Sequence, residues 1–148
     1  MTNELAARVR LLDDLHFQGS VRSGHTIDLD TSASAGGCAG MTPMELLLIS
    51  LAGCSAMDVA TILRKKRQIL EGLEVRVHGL RQDEHPTVFT TINLEYVVHG
   101  DVDPQVLARA ISLSRERYCP IWAMLQPDVW ITATSRVVRD DPVLVPAD

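Results

Sequence analysis

The stretch TPMELLLISLAGCSAMDVATILRKKR, residues 42–67, decides how the rest of the chain is read. Thr42 suits an N-cap, Pro43 suits the first helical position, and Glu45 completes a Thr-x-x-Glu capping box, so a helix starts here. Between Leu46 and Ala60 only Ser50, Ser55 and Asp58 are polar, which leaves nearly the whole circumference apolar. Such a helix is buried on most sides rather than laid on a surface. It reads as too short and too interrupted for a membrane span. Arg64, Lys65, Lys66 and Arg67 return it to solvent and place cations at the negative end of its dipole. Gly53 costs roughly 1 kcal/mol of helix propensity against Ala, which points to close approach of another group. Cys54 comes next, in the middle of the apolar cylinder. Its thiol is either core filling or chemistry.

Outward from the helix, TSASAGGCAG (residues 31–40) is small and glycine-rich, hence a loop, and it carries Cys38. Before it, residues 6–12, 15–21 and 25–30 read as three strands of an antiparallel meander, with turns at Asp13-Asp14 and Gly24. After the helix, Gly72 marks a break. Residues 73–80 then alternate cleanly, and residues 88–98 form a long second strand closed by Gly100-Asp101, so the two make a hairpin. Asp103 caps a second helix from Pro104, which should end near Cys119-Pro120 because proline disfavours helical backbone in the residue before it. Residues 121–125 add a helical turn and 129–138 a last strand. The order βββ-α-ββ-α-β predicts an α+β fold with antiparallel sheets around a long buried central helix. A single domain is expected over residues 1–138, with a loose tail at 139–148.

Size and charge narrow the function. The 148 residues, 46% hydrophobic and 22% charged, suit one globular domain with a real core. A net charge of −5, with no basic stripe, argues against nucleic acid as partner. The opening MTNELAARVR lacks the apolar core of a signal peptide, so a cytoplasmic protein without membrane attachment is expected. In that compartment three cysteines read as thiols rather than staples. There is no C-x-x-C, no H-x-x-x-H, no phosphate loop and no G-x-S-x-G, so neither a metal nor a cofactor is expected. What remains is Cys54 within one helix and Cys119 at the end of another: inert buried thiols, or a redox pair.

PMELLLISLAGCSAMDV, followed by ISLSRERYCPIWAML, resembles the OsmC/Ohr family of osmotically inducible and organic hydroperoxide resistance proteins. The resemblance implies a tightly intertwined homodimer of α+β subunits and thiol-dependent peroxide reduction. It makes Cys54 the peroxidatic thiol and Cys119 the resolving one, with a lipoyl or thioredoxin-like dithiol as reductant. In the family a glutamate directly after the loop proline pairs with an arginine of the N-terminal hairpin. Here Met44 follows Pro43, and Glu45 comes one position later, where it is better explained as the capping partner of Thr42. Arg22 is the nearest substitute for the arginine. The chain therefore resembles a branch without the Arg–Glu pair.

Local charge cuts both ways. Asp58, four residues after Cys54, disfavours a thiolate. Arg115 and Arg117 flank Cys119 and either support it or form a solvated face. Cys38 has no family counterpart and reads as an incidental loop thiol. Two functions follow. One is a cysteine peroxidase acting on organic hydroperoxides. The other is a dimer that holds a hydrophobic ligand beside inert thiols.

Overall fold

A computed structural model describes residues 3–139; of the expected C-terminal tail, everything beyond Arg139 lies outside them. The chain divides into two compact units, residues 1–47 and 48–148, with the long helix running from one into the other.

In the first unit β1 (Ala7–Asp13), β2 (His16–Val21) and β3 (Thr26–Leu29) form an antiparallel meander in the order β1-β2-β3. Asp14 turns the chain between β1 and β2 at φ 46°, a left-handed conformation that a short Asp side chain tolerates. The loop after β3 is organised by one carboxylate. Asp30 accepts from the backbone N–H groups of Thr31 (2.7 Å), Ala39 (3.1 Å) and Cys38 (3.3 Å). Those bonds, that from Thr31 first, hold its pKa below the usual carboxylate value. They fix the backbone at Cys38, whose side chain stays exposed.

The central helix α1 spans Pro43–Lys65, and its capping box forms as the sequence predicts. Thr42 Oγ1 accepts from the Glu45 backbone N–H (3.2 Å), while Glu45 Oε2 accepts from the Thr42 N–H (2.8 Å) and hydroxyl (3.1 Å). Glu45 is thus a structural cap. Glu45→Ala should cost about 1 kcal/mol of stability and leave the rate of Cys54 oxidation unchanged. A rate loss beyond the stability change would return Glu45 to the site. The helix closes with Arg67 in the left-handed region, φ 59°, and with Gln68 N–H donating to the Leu63 carbonyl at 2.9 Å.

Two expectations for α1 are corrected. It runs unbroken through Gly53, and by length and composition alone it is long and apolar enough to cross a membrane. One chain by itself buries only part of the helix circumference. Only the stripe Leu51, Ala52, Ser55, Val59 and Leu63 is buried, whereas Met57 is 73% and Ile49 50% exposed. Nor, among the described residues, does another group approach Gly53: beyond its own helix backbone and chain neighbours, a Cβ built there meets no atom within 4 Å.

In the second unit β4 (Ile69–Arg81) and β5 (Phe89–Asp101) form the expected hairpin, with Val75, Val77 and Gly79 turned inward against exposed Arg76, His78 and Leu80. Gly72 does not break the chain. It lies inside β4, at a register shift that absorbs the irregularity. Helix α2 (Pro104–Leu113) starts at Asp103, whose carboxylate accepts from Gln105 N–H at 2.8 Å. A π turn, Ser114–Tyr118, then leads to Cys119, Pro120 opens α3 (Pro120–Leu125), and β6 (Trp130–Val138) completes the unit. β6 pairs parallel to β5, so this sheet is mixed rather than antiparallel. The physical reason is the connection: a helical crossover from one sheet edge returns the chain in the same direction. The core lies here, with Trp122, Tyr96, Leu63, Leu94 and Leu107 almost fully buried.

Candidate active site

Cys54 sits mid-way along α1 with Ser55 beside it and Asp58 one turn on. Ser55 belongs to the buried stripe, so it points into the core and needs partners there. It has two: the Tyr96 hydroxyl at 2.5 Å and the Ser114 hydroxyl at 2.8 Å. Ser114 in turn donates to Asp58 Oδ2 at 2.9 Å. Each hydroxyl has a single proton and an ionised carboxylate has none. Ser114 therefore spends its proton on Asp58, Ser55 donates to Ser114, and Tyr96 donates to Ser55. The chain Tyr96, Ser55, Ser114, Asp58 runs in one direction and ends on the carboxylate. Burial pushes the Tyr96 phenol up to about 12, which keeps its proton available for donation.

The same π turn that supplies Ser114 delivers the second thiol. Its last bond, Cys119 N–H to the Ser114 carbonyl at 2.8 Å, seats Cys119 where the backbone leaves helical geometry. Such turns recur at functional sites. Cys119 is buried, and its sulfur accepts from the Trp122 N–H at 3.4 Å as the cap of α3. The result is a cluster that the linear sequence does not show. Cys54 Sγ, Cys119 Sγ and an Asp58 carboxylate oxygen all lie within 4.8 Å of one another. Both thiols are free.

The electrostatics oppose easy ionisation. The Cys54 thiol is pushed up to about 11 by burial first, then by hydrogen bonding and charge interaction with Cys119, then by Asp58, against a smaller lowering from the Ile121 N–H. The anionic influence of Asp58 is what the i+4 spacing predicts. Beside the cluster, Asp58, Thr61, Ile62, Lys65, Lys66, Leu113 and Tyr118 line a cavity of about 370 Å³ that opens to solvent.

Of the supporting residues named from sequence, Arg115 is exposed on the π turn and makes no ion pair among the described residues. Arg117 lies over the Tyr118 ring at 5.9 Å instead. Arg22 is exposed in the turn between β2 and β3. Sequence reasoning missed Tyr96 and Ser114 altogether. The one available signal was the presence of Ser55 and Asp58, three residues apart, in an otherwise apolar helix.

Comparison with known proteins identifies the family and the fold. The family model described as OsmC-like protein matches residues 35–134. Protein YhfA of Escherichia coli K12 is 41% identical over 135 residues, covering 90% of this chain and 98% of that protein. Among solved structures, a hypothetical protein from Aquifex aeolicus VF5 superposes with a TM-score of 0.85 at 30% identity, covering 95% of this chain and all of the other. The organic hydroperoxide resistance protein OsmC of Legionella pneumophila shares the fold, with a TM-score of 0.71 at 16% identity over 93% of this chain and 99% of its own. The chain belongs to the OsmC-like family.

Proposed function

We propose that this protein is a two-cysteine peroxidase that reduces organic hydroperoxides in the cytoplasm, with residues 1–138 acting as one domain. The observation that carries this reading is the convergence of Cys54 and Cys119, two free thiols from separate helices, within 4.8 Å. In the reaction the Cys54 thiolate attacks one peroxide oxygen, the O–O bond breaks, and the alcohol leaves after protonation. Cys54 is left as a sulfenic acid. The Cys119 sulfur then displaces hydroxide from it, water departs and a disulfide forms. A lipoyl or thioredoxin-like dithiol restores both thiols by exchange. The name of the Legionella relative, which refers to organic hydroperoxide resistance, supports the substrate class.

A stoichiometric pulse of cumene hydroperoxide on reduced, metal-free protein tests the reading. One equivalent should remove two thiols per chain and yield a peptide linking Cys54 to Cys119. Its pH profile has a definite sign. Because the Cys54 pKa is raised to about 11, the thiol is protonated at neutral pH and the reactive thiolate grows as pH rises. The rate should climb roughly tenfold per unit between about pH 7 and 10. A rate independent of pH above 7 would contradict it. The raised thiol and the adjoining cavity favour the second reading, a hydrophobic-ligand carrier. Oxidation confined to Cys38, with Cys54 and Cys119 still reduced, would end the peroxidase reading.

We also propose a homodimer. Ile49 and Met57 on α1 are exposed, as is every residue of β1, Val9 and Leu11 among them, and large apolar side chains left open in each unit suit an interface. A second copy, rather than a bilayer, is the cover we infer for α1, burying more than ~2,000 Å² in total. Sedimentation at micromolar concentration should find only dimer; a folded monomer would refute this.

A further inference from the structure

The redox reaction needs two sulfurs in reach of each other, but it has no need of a carboxylate held against them. An anion there hinders the thiolate that attack requires. Yet Asp58 is not there by default. The hydrogen-bond chain from Tyr96 through Ser55 and Ser114 ends on its Oδ2 and fixes its orientation. Among the described residues no cation forms an ion pair with it. Three groups that are anionic when deprotonated thus converge within 4.8 Å.

We propose that Cys54, Cys119 and Asp58 form a binding site for a zinc ion. The donor set is two sulfurs and one oxygen. That excludes the hard cations calcium and magnesium, which take oxygen ligands, and suits a borderline-soft d10 ion. The dimensions agree. Zinc bonds of about 2.3 Å to sulfur and 2.0–2.2 Å to carboxylate place tetrahedral ligand atoms roughly 3.5–3.8 Å apart, so the present spacing needs an adjustment of about 1 Å. The buried hydroxyl chain is the outer shell that zinc ligands characteristically have, here fixing a carboxylate rather than an imidazole. The cavity reaches the site at Asp58, and three protein ligands would leave the fourth tetrahedral position for water.

Binding displaces the proton of each thiol and leaves the carboxylate as it is, so one zinc ion enters as two protons leave. The site is the one proposed for peroxide reduction, and the two uses exclude each other. Forming the Cys54–Cys119 disulfide from the two thiolates consumes one hydroperoxide and two protons and yields alcohol and water. It also removes two of the three ligands. Zinc therefore protects the reduced pair, and peroxide expels zinc.

The test is a cobalt titration of reduced, metal-free full-length protein. One equivalent of Co²⁺ per chain should produce the thiolate-to-metal charge-transfer band in the near ultraviolet with tetrahedral visible bands, and one equivalent of Zn²⁺ should abolish both. In competition with a chromophoric chelator, Cys54→Ser and Cys119→Ser should each weaken zinc binding at least about 100-fold, and Asp58→Asn about 10- to 100-fold. Asparagine still accepts from Ser114, so that variant keeps the fold. Cys38→Ser should bind as the parent does. A parent protein without the charge-transfer band, or a band that survives in Cys54→Ser, overturns the site. Oxidation of metal-free protein without a cobalt band would refute zinc alone. A cobalt band without oxidation would refute the peroxidase alone.

Discussion

Cys54→Ser should reduce hydroperoxide consumption at least about a hundredfold, to the background of the assay, because the other thiol of the cluster, Cys119, is buried and is left without the sulfenic acid it would resolve. No sulfenic acid should then be trapped. Cys119→Ser should behave differently. The first step needs only Cys54, so one oxidation per chain should still occur at near the parental rate, after which the sulfenic acid persists and over-oxidises. Cys38→Ser should match the parent in both steps, since its thiol sits exposed in the Asp30-ordered loop. Dimedone labelling with mass spectrometry reads all three. Equal loss of the first oxidation in the Cys54 and Cys119 variants would mean the thiols act as one unit and would remove the assignment of attacking and resolving roles.

The largest effect on stability is expected away from the thiols, at Gly100→Ala. Gly100 pairs with Leu70 across the hairpin at φ 129°, where an L side chain is strained. An added Cβ would also lie 2.1 Å from the Ile69 carbonyl oxygen and 3.0 Å from the Glu71 nitrogen. Both obstacles are backbone, so neither can step aside as a side chain would. The combined cost should be about 3–4 kcal/mol, which corresponds to a fall in Tm of roughly 10 °C. Gly24→Ala separates the two causes. Its φ is 89°, yet nothing lies within 4 Å of the built Cβ, so it should cost only about 1 kcal/mol. Equal losses in the two variants by thermal or urea unfolding would show that the clash relaxes.

The parts of this fold legible in the sequence were those specified locally. Thr42, Pro43 and Glu45 announce the start of α1 through bonds made within three residues. The alternation around Val75 and Val77 announces a strand with one covered face. The direction of β6 is not local: it is set by the crossover that precedes it, and 130–138 alternates no differently in a parallel pair. The π turn was hidden for a related reason, since residues 104–118 keep a helical pattern while the backbone takes up one extra residue. In the site, the two cysteines were found through a family resemblance and Asp58 through helical spacing. Tyr96 and Ser114 were beyond reach, because Ser55 meets them across 41 and 59 residues of chain and a lone Tyr or Ser carries no pattern of its own.

The parallel crossover between β5 and β6 also sets an order of events during synthesis. The β4–β5 hairpin pairs neighbours in sequence, and both its strands leave the ribosome before the crossover does. Cys119 lies on that crossover. At roughly 5–20 residues per second, it emerges several seconds after Cys54. For that interval the other thiol already made is Cys38, sixteen positions upstream of Cys54. An oxidant met by the growing chain therefore finds the wrong pair first. The reducing compartment proposed for this protein guards its birth as well as its turnover.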